Sequence, residues 1–81
     1  MRRKVKRVLD EDTFETYHKV NGSNFIRIAG KDGRELHESG GKVARDRLKR
    51  QIQNKTVTLK PVGRSYGRTV AIVRHKRKLL R

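Results

Sequence analysis

The chain has 81 residues, with 23 Lys and Arg against 8 Asp and Glu, a formal net charge of +15 at pH 7. That length admits one domain with a compact core, and the absence of cysteine excludes disulfides and thiolate chemistry. The charge attracts polyanions, and nucleic acid is the expected partner, with an affinity dominated by a salt-dependent phosphate contribution. An anionic membrane is the rival partner, but it requires a bulky apolar helix face or a lipid anchor, and the sequence offers neither.

The start, Met1-Arg2-Arg3-Lys4, is basic like the opening of a signal peptide, but no apolar stretch follows it. No segment approaches transmembrane length. An intracellular, cytoplasmic chain is therefore the default expectation.

In chain order, residues 3–9 (RKVKRVL) predict a strand with Val5 and Leu9 on one alternating face. Residues 13–20 (TFETYHKV) predict a second strand, rich in aromatic and β-branched residues. Asn21-Gly22 is a strong hairpin signal, because both residues tolerate positive φ, and residues 24–29 (NFIRIA) return as a third strand. Residues 30–38 form a polar loop with two glycines. Ser39-Gly40-Gly41 opens a helix over about 41–53, with Val43, Ala44, Leu48 and Ile52 facing the core and Asn54 as its stop. Residues 56–62 (TVTLKPV) alternate as a strand with Pro61 at its end or on an edge. Residues 63–67 form a turn, and residues 68–74 (RTVAIVR) are the last strand. The basic tail HKRKLLR is expected to fray or to form a short helix.

This order predicts an all-β fold with one helix: a five-stranded OB-fold barrel with the helix between strands 3 and 4, one domain over residues 1–81. OB barrels bind oligonucleotides.

The acids are clustered. Asp10, Glu11, Asp12 and Glu15 sit at and just after the end of the first strand, and Asp32, Glu35 and Glu38 sit in the loop after the third. Two clusters at strand ends can converge at one rim of a barrel and hold a hard divalent cation through oxygen ligands. The alternative is that they are solvated acids balancing nearby Lys and Arg.

Four segments, taken together, resemble the staphylococcal nuclease (thermonuclease) family, whose core is an OB barrel. Residues 8–14 (VLDEDTF) are similar to its V-x-D-G-D-T opening, and residues 26–35 (IRIAGKDGRE) to its V-R-L-x-G-I-D-A-P-E segment without a gap. Residues 41–44 (GKVA) and 54–59 (NKTVTL) resemble its G-x-x-A helix and G-K-x-V-x-L strand, and residues 65–71 (SYGRTVA) its Y-G-R-x-x-A motif. The match runs over roughly residues 5–73 in the family's order, so that the chain reads as a minimal or C-terminally shortened member.

The resemblance implies a nuclease that hydrolyses phosphodiester bonds in DNA or RNA with little sequence preference, using calcium. It implies that Asp12 and Asp32 hold the cation with the backbone carbonyl of Gly33, that Glu35 positions or deprotonates the attacking water, and that Arg27 and Arg68 contact the scissile phosphate. The chemistry is consistent with such a set. A cation supplies Lewis acidity, arginines supply bidentate donors that strengthen as charge develops, and a carboxylate within one hydrogen bond of the water acts as base. Two positions depart from the motif: Glu11 stands in place of glycine, and Gly33-Arg34 in place of Ala-Pro. A basic OB module that binds nucleic acid without cleaving it is the alternative.

The remaining residues are read more simply. His18, His37 and His75 match no ligand spacing and are surface residues. Tyr17, Phe25 and Tyr66 can stack on bases, with Phe25 assigned to the core and Tyr66 the better stacking candidate. The basic runs Arg2, Arg3, Lys4 and Arg74, Lys76, Arg77, Lys78 are expected to track the backbone of DNA or RNA, single-stranded in particular, without reading bases. No small-molecule cofactor and no membrane partner are expected.

Overall fold

The computed structural model describes residues 1–30 and 41–80. It contains β1 (Arg2–Asp10), β2 (Thr13–Val20), β3 (Ser23–Ile28), α1 (Gly41–Ile52), β4 (Thr56–Ser65), β5 (Arg68–His75) and β6 (Lys78–Leu80). The sheet order is β3-β2-β1-β4-β5-β6, and a parallel pairing of β3 with β5 closes the first five strands into a barrel. This is the OB-fold-like barrel expected from the order of elements, with the helix between the third and fourth strands.

Local chemistry explains the turns. Asn21 and Gly22 both take positive φ, 49° and 86°, the geometry that lets a two-residue hairpin follow the right-handed twist of its strands. Asn54, at φ 65°, ends the helical run. Its amide donates to the Val5 carbonyl, while the Val5 amide donates to the Lys55 carbonyl. The helix end is thereby fastened to β1, and Leu48 and Ile52 are buried in the core with Val5, Phe14, Ile26, Ile28, Val57, Leu59 and Val73. Val43 is instead 57% exposed and Ala44 only partly buried, so the helix presents a narrower apolar stripe than the spacing by four suggested.

Two irregularities decide which side chains face inward. β1 is bulged between Val5 and Arg7 and again between Val8 and Asp10. An extra residue in one strand shifts its alternation, so Val8 rather than Leu9 joins Val5 in the core. The Val8 amide, close to both bulges, donates to Gln53 Oε1 at the end of the helix. In β3, Phe25 pairs with Glu15 while Ile26 pairs with the buried Phe14. Phe25 is therefore on the outer side, 38% exposed, and is not a core residue.

β4 continues past Pro61 through a bulge to Ser65, so the turn shrinks to Tyr66-Gly67, at φ 50° and 78°. The basic tail does not fray or form a helix. Lys76 and Arg77 make a third two-residue turn, and residues 78–80 return as β6 along the C-terminal half of β5. The N-terminal half of β5 on the same edge is already taken by β3, which leaves the other half free to accept a short strand.

Candidate functional site

Three expected site residues meet at one rim of the barrel. Asp12 lies in the tight β1–β2 connection and is 8% exposed. Its carbonyl accepts the Ile28 amide at 2.7 Å, tying the connection to the end of β3. Asp12 Oδ1 accepts the Thr13 hydroxyl at 2.9 Å, and Asp12 Oδ2 lies 3.5 Å from Arg27 Nε, at the long end of a hydrogen bond. Arg27 is placed there by register, because it stands opposite Thr13 in the β2–β3 ladder. Arg68, the first residue of β5, donates through Nη1 to the Thr13 hydroxyl at 3.1 Å and through Nε to the Ser65 carbonyl at 3.4 Å. Asp12, Arg27 and Arg68 are thus linked around Thr13, the last residue of the V-x-D-G-D-T-like stretch, to which the sequence reading gave no role.

The neighbouring acid in the same turn is also buried. Glu11 is 5% exposed, and among the described residues its Oε2 has no hydrogen-bond partner. A buried carboxylate oxygen without a donor is a costly arrangement. Carboxylate oxygens are also the donors that a hard divalent cation prefers. Glu15, by contrast, is an ordinary surface ion pair, 2.7 Å from Arg7 and 4.0 Å from Lys6. Asp32, Gly33 and Glu35 lie outside the described residues. Among the described residues no group of three His, Cys, Asp or Glu is gathered as a metal cluster.

The rim is braced from the opposite hairpin. The Ser23 hydroxyl donates to the Gly67 carbonyl at 3.0 Å, Thr69 Oγ1 to the Val20 carbonyl at 2.7 Å, and Arg64 Nη1 to the Asn21 carbonyl at 2.7 Å. These bonds join segments more than forty residues apart and fix the start of β5 beside β3. Tyr66 stands at the apex of the β4–β5 turn and is 97% exposed, open to stacking and bound to nothing.

The basic residues of the two terminal runs fall into two places. Lys4 Nζ sits 5.8 Å from the centroid of the Tyr17 ring, with Lys6 at 5.9 Å. Arg3 turns back to carbonyl groups, those of Lys19 and Arg2. Arg2, Arg74, Lys76 and Arg77 line an open groove of about 630 Å³ with Lys55, Thr56, Thr58 and His75. Lys78 follows at the start of β6, exposed. Sequence reasoning gave Lys55, Thr56 and Thr58 no binding role; they join this groove because β1, β4 and β5 lie side by side. Burial, followed by the charges of Lys76 and Lys55, holds the His75 imidazole below its ordinary pKa of 6.5.

No protein-family model matches this chain, and no curated protein matches it.

Proposed function

We propose that this protein is a metal-dependent nuclease that hydrolyses phosphodiester bonds in DNA or RNA with little sequence preference, and that calcium is its ion. The observation that carries the reading is the convergence of Arg27 and Arg68, from β3 and β5, on the Asp12–Thr13 step at one rim. Two planar guanidiniums beside one buried carboxylate suit a phosphodiester whose charge grows in the transition state. The 3.5 Å contact between Arg27 and Asp12 is loose, so the guanidinium can exchange a carboxylate partner for a phosphate.

Asp12 is the residue that would hold the cation, with Oε2 of Glu11, which has no partner among the described residues, as a further oxygen donor in the same turn. Asp32 and the Gly33 carbonyl are the remaining ligands suggested by the resemblance. When bound, the ion supplies Lewis acidity and charge neutralisation. The chain's own groups do the rest. Arg27 and Arg68 bind and orient the phosphate, Thr13 holds Arg68 and Asp12 in register, and Glu35 takes a proton from the attacking water.

A second reading is favoured by one specific observation. Both oxygens of Asp12 already have partners within the protein, Thr13 and Arg27. A rim with its acid neutralised in this way binds phosphate without a metal, as expected of a non-catalytic nucleic-acid-binding module.

One assay separates the two. Purified protein is incubated with single-stranded DNA and with RNA, in calcium and then in chelator. The nuclease reading expects cleavage that stops in chelator, and a Glu35→Gln variant slower by at least about 10²-fold, the typical contribution of a general base, with oligonucleotide affinity within about two-fold of the parent. Oligonucleotide binding without cleavage under any of these conditions would establish the binding module instead.

A further inference from the structure

The far end of β5 from Arg68 carries a second charged surface that the rim chemistry does not use. Strand register puts Arg2 opposite Thr58, and Thr58 opposite Arg74. These three side chains are exposed on β1, β4 and β5 and form one row across the outside of the barrel. At about 4.8 Å between strands, the two arginines flank the threonine hydroxyl roughly 10 Å apart. Thr56 and Lys55 continue the groove from Thr58 toward the β5–β6 turn, the same end at which His75, Lys76 and Arg77 follow Arg74. The lining contains no carboxylate. Among the described residues, none of its five Lys and Arg takes part in an ion pair.

The turn at the edge of this groove is expensive for the residues it holds. Lys76 and Arg77 take φ values of 51° and 68°, a left-handed geometry that favours glycine and asparagine. The other two hairpin turns that take positive φ have Gly22 and Gly67 at the second turn position, at φ 86° and 78°. The turn itself has a packing role, since it returns Leu80 to the core, but that role does not require two long cations at positions suited to Asn-Gly, which points to a role for those charges.

We infer that the groove formed by Arg2, Lys55, Thr58, Arg74, Lys76 and Arg77 is a docking surface for the phosphodiester backbone of nucleic acid, separate from the Asp12–Arg27–Arg68 rim. It rests on the nucleic-acid part of the function proposed above and not on cleavage. Cations and hydroxyls are donors that match phosphate oxygens, and they carry no base readout. The lining has no Phe, Tyr or Trp on which a base could stack, its one ring being the half-buried His75 imidazole, and no apolar side chain that could enter a bilayer. A separation of roughly 26 Å between Arg68 and Lys76 at the β5–β6 turn, at about 3.3 Å per residue, means that only a chain of about eight or more stacked nucleotides, at about 3.4 Å each, reaches both surfaces.

The test uses the full chain in chelator, so that cleavage plays no part. Binding of a labelled 20-nucleotide strand is followed by anisotropy at several salt concentrations for three proteins: the parent, the double variant Lys76→Asn/Arg77→Gly, and the double variant Lys49→Gln/Arg50→Gln. The first variant installs a favourable turn and leaves the hairpin intact. Both variants remove two exposed charges. The groove variant is expected to melt at a higher temperature than the parent, to bind about ten-fold more weakly at 0.15 M salt, and to lose about 1–2 from the slope of log K against log salt, as for one or two lost phosphate contacts. The helix variant is expected to change by less than about three-fold. In the parent, saturating oligonucleotide should raise the His75 pKa by compensating Lys76 and Lys55. Equal weakening in both variants overturns the groove as a distinct surface and leaves the rim reading standing. Failure of the parent to bind any oligonucleotide overturns both readings. Binding to phosphatidylserine vesicles instead of oligonucleotide, lost in the groove variant, overturns nucleic acid as the occupant.

Discussion

The two ends of β5 hold cations under opposite conditions. At its start, Arg68 is half-buried and hydrogen-bonded to Thr13 and Ser65, within a set that includes the buried Asp12 and Arg27. At its far end, Arg74, Lys76 and Arg77 are exposed in a groove with no acid in its lining. The same residue types therefore have two physical roles. A guanidinium held by protein acceptors has little orientational freedom left to lose when a phosphate arrives, which favours chemistry at a fixed point. Exposed cations without partners contribute affinity through released counterions and are tolerant of where the phosphate sits. Under the proposed function, the two ends of one strand would divide positioning of a phosphate from gripping of the nucleic-acid backbone.

The sharpest way to break this comparison is to remove one cation from each end and compare rate with affinity. Arg68→Ala should lower kcat/KM for single-stranded substrate by roughly 10²-fold, about 2.7 kcal/mol of transition-state stabilisation, with only a few-fold loss of affinity. The hairpin variant should show the converse. Identical profiles for the two, measured under single-turnover conditions, would remove the distinction between the ends.

A smaller effect is expected at the other buried acid of the rim. Glu11 Oε2 is buried without a donor among the described residues, so Glu11→Met, which removes the polar group and keeps its length, should stabilise the metal-free protein by about 1–3 kcal/mol, the typical penalty of an unsatisfied buried group. Calcium should then raise the melting temperature of the parent more than that of the variant, because it supplies the missing partner only where the carboxylate remains. Urea unfolding in chelator and in calcium measures both, and a variant less stable than the parent in chelator would show that the oxygen is already paired.

The smallest effect lies at the gripping end. Burial and the charges of Lys76 and Lys55 disfavour the protonated form of His75 in the folded state. As pH falls below 6.5, the ordinary value, the unfolded chain takes up this proton before the folded one. Stability is therefore fully present above that pH and is lost as pH falls toward the lowered folded value. A His75→Gln variant should lack this part of the pH dependence, visible as a flatter melting temperature between neutral pH and mildly acidic buffer. An unchanged slope would mean that the hairpin charges do not reach the imidazole.

Much of the architecture is legible locally. Asn21-Gly22 specified its turn because both residues accept positive φ, and Asn54 marked the helix end for the same reason. Alternation in residues 13–20 and 68–74 and the apolar spacing of Leu48 and Ile52 identified strands and helix, because side-chain direction repeats every two residues in a strand and about every four in a helix. Residue types at family-like spacing singled out Asp12, Arg27 and Arg68, and these three do share one rim. Asp32, Gly33 and Glu35, singled out on the same grounds, lie beyond the described residues. Leu9, Val43 and Phe25 had the right hydrophobicity for the core and were misplaced. Two bulges in β1, a narrow helix interface and the pairing of Phe25 with Glu15 decided their exposure.

What tertiary structure alone decided are the relations between distant segments. The parallel contact of β3 with β5 closes the barrel and sets Arg27 and Arg68 on either side of Thr13. The half of β5 left free by β3 is what turned a basic tail into β6. The row Arg2–Thr58–Arg74 spans 72 positions of chain between its ends, and nothing in the types of its residues announces it. Turn preference and side-chain periodicity act over two to four residues, and so they were present in the sequence by itself. Register across a closed barrel is chosen by the burial of one shared core, so the sites it assembles could be located only in the folded chain.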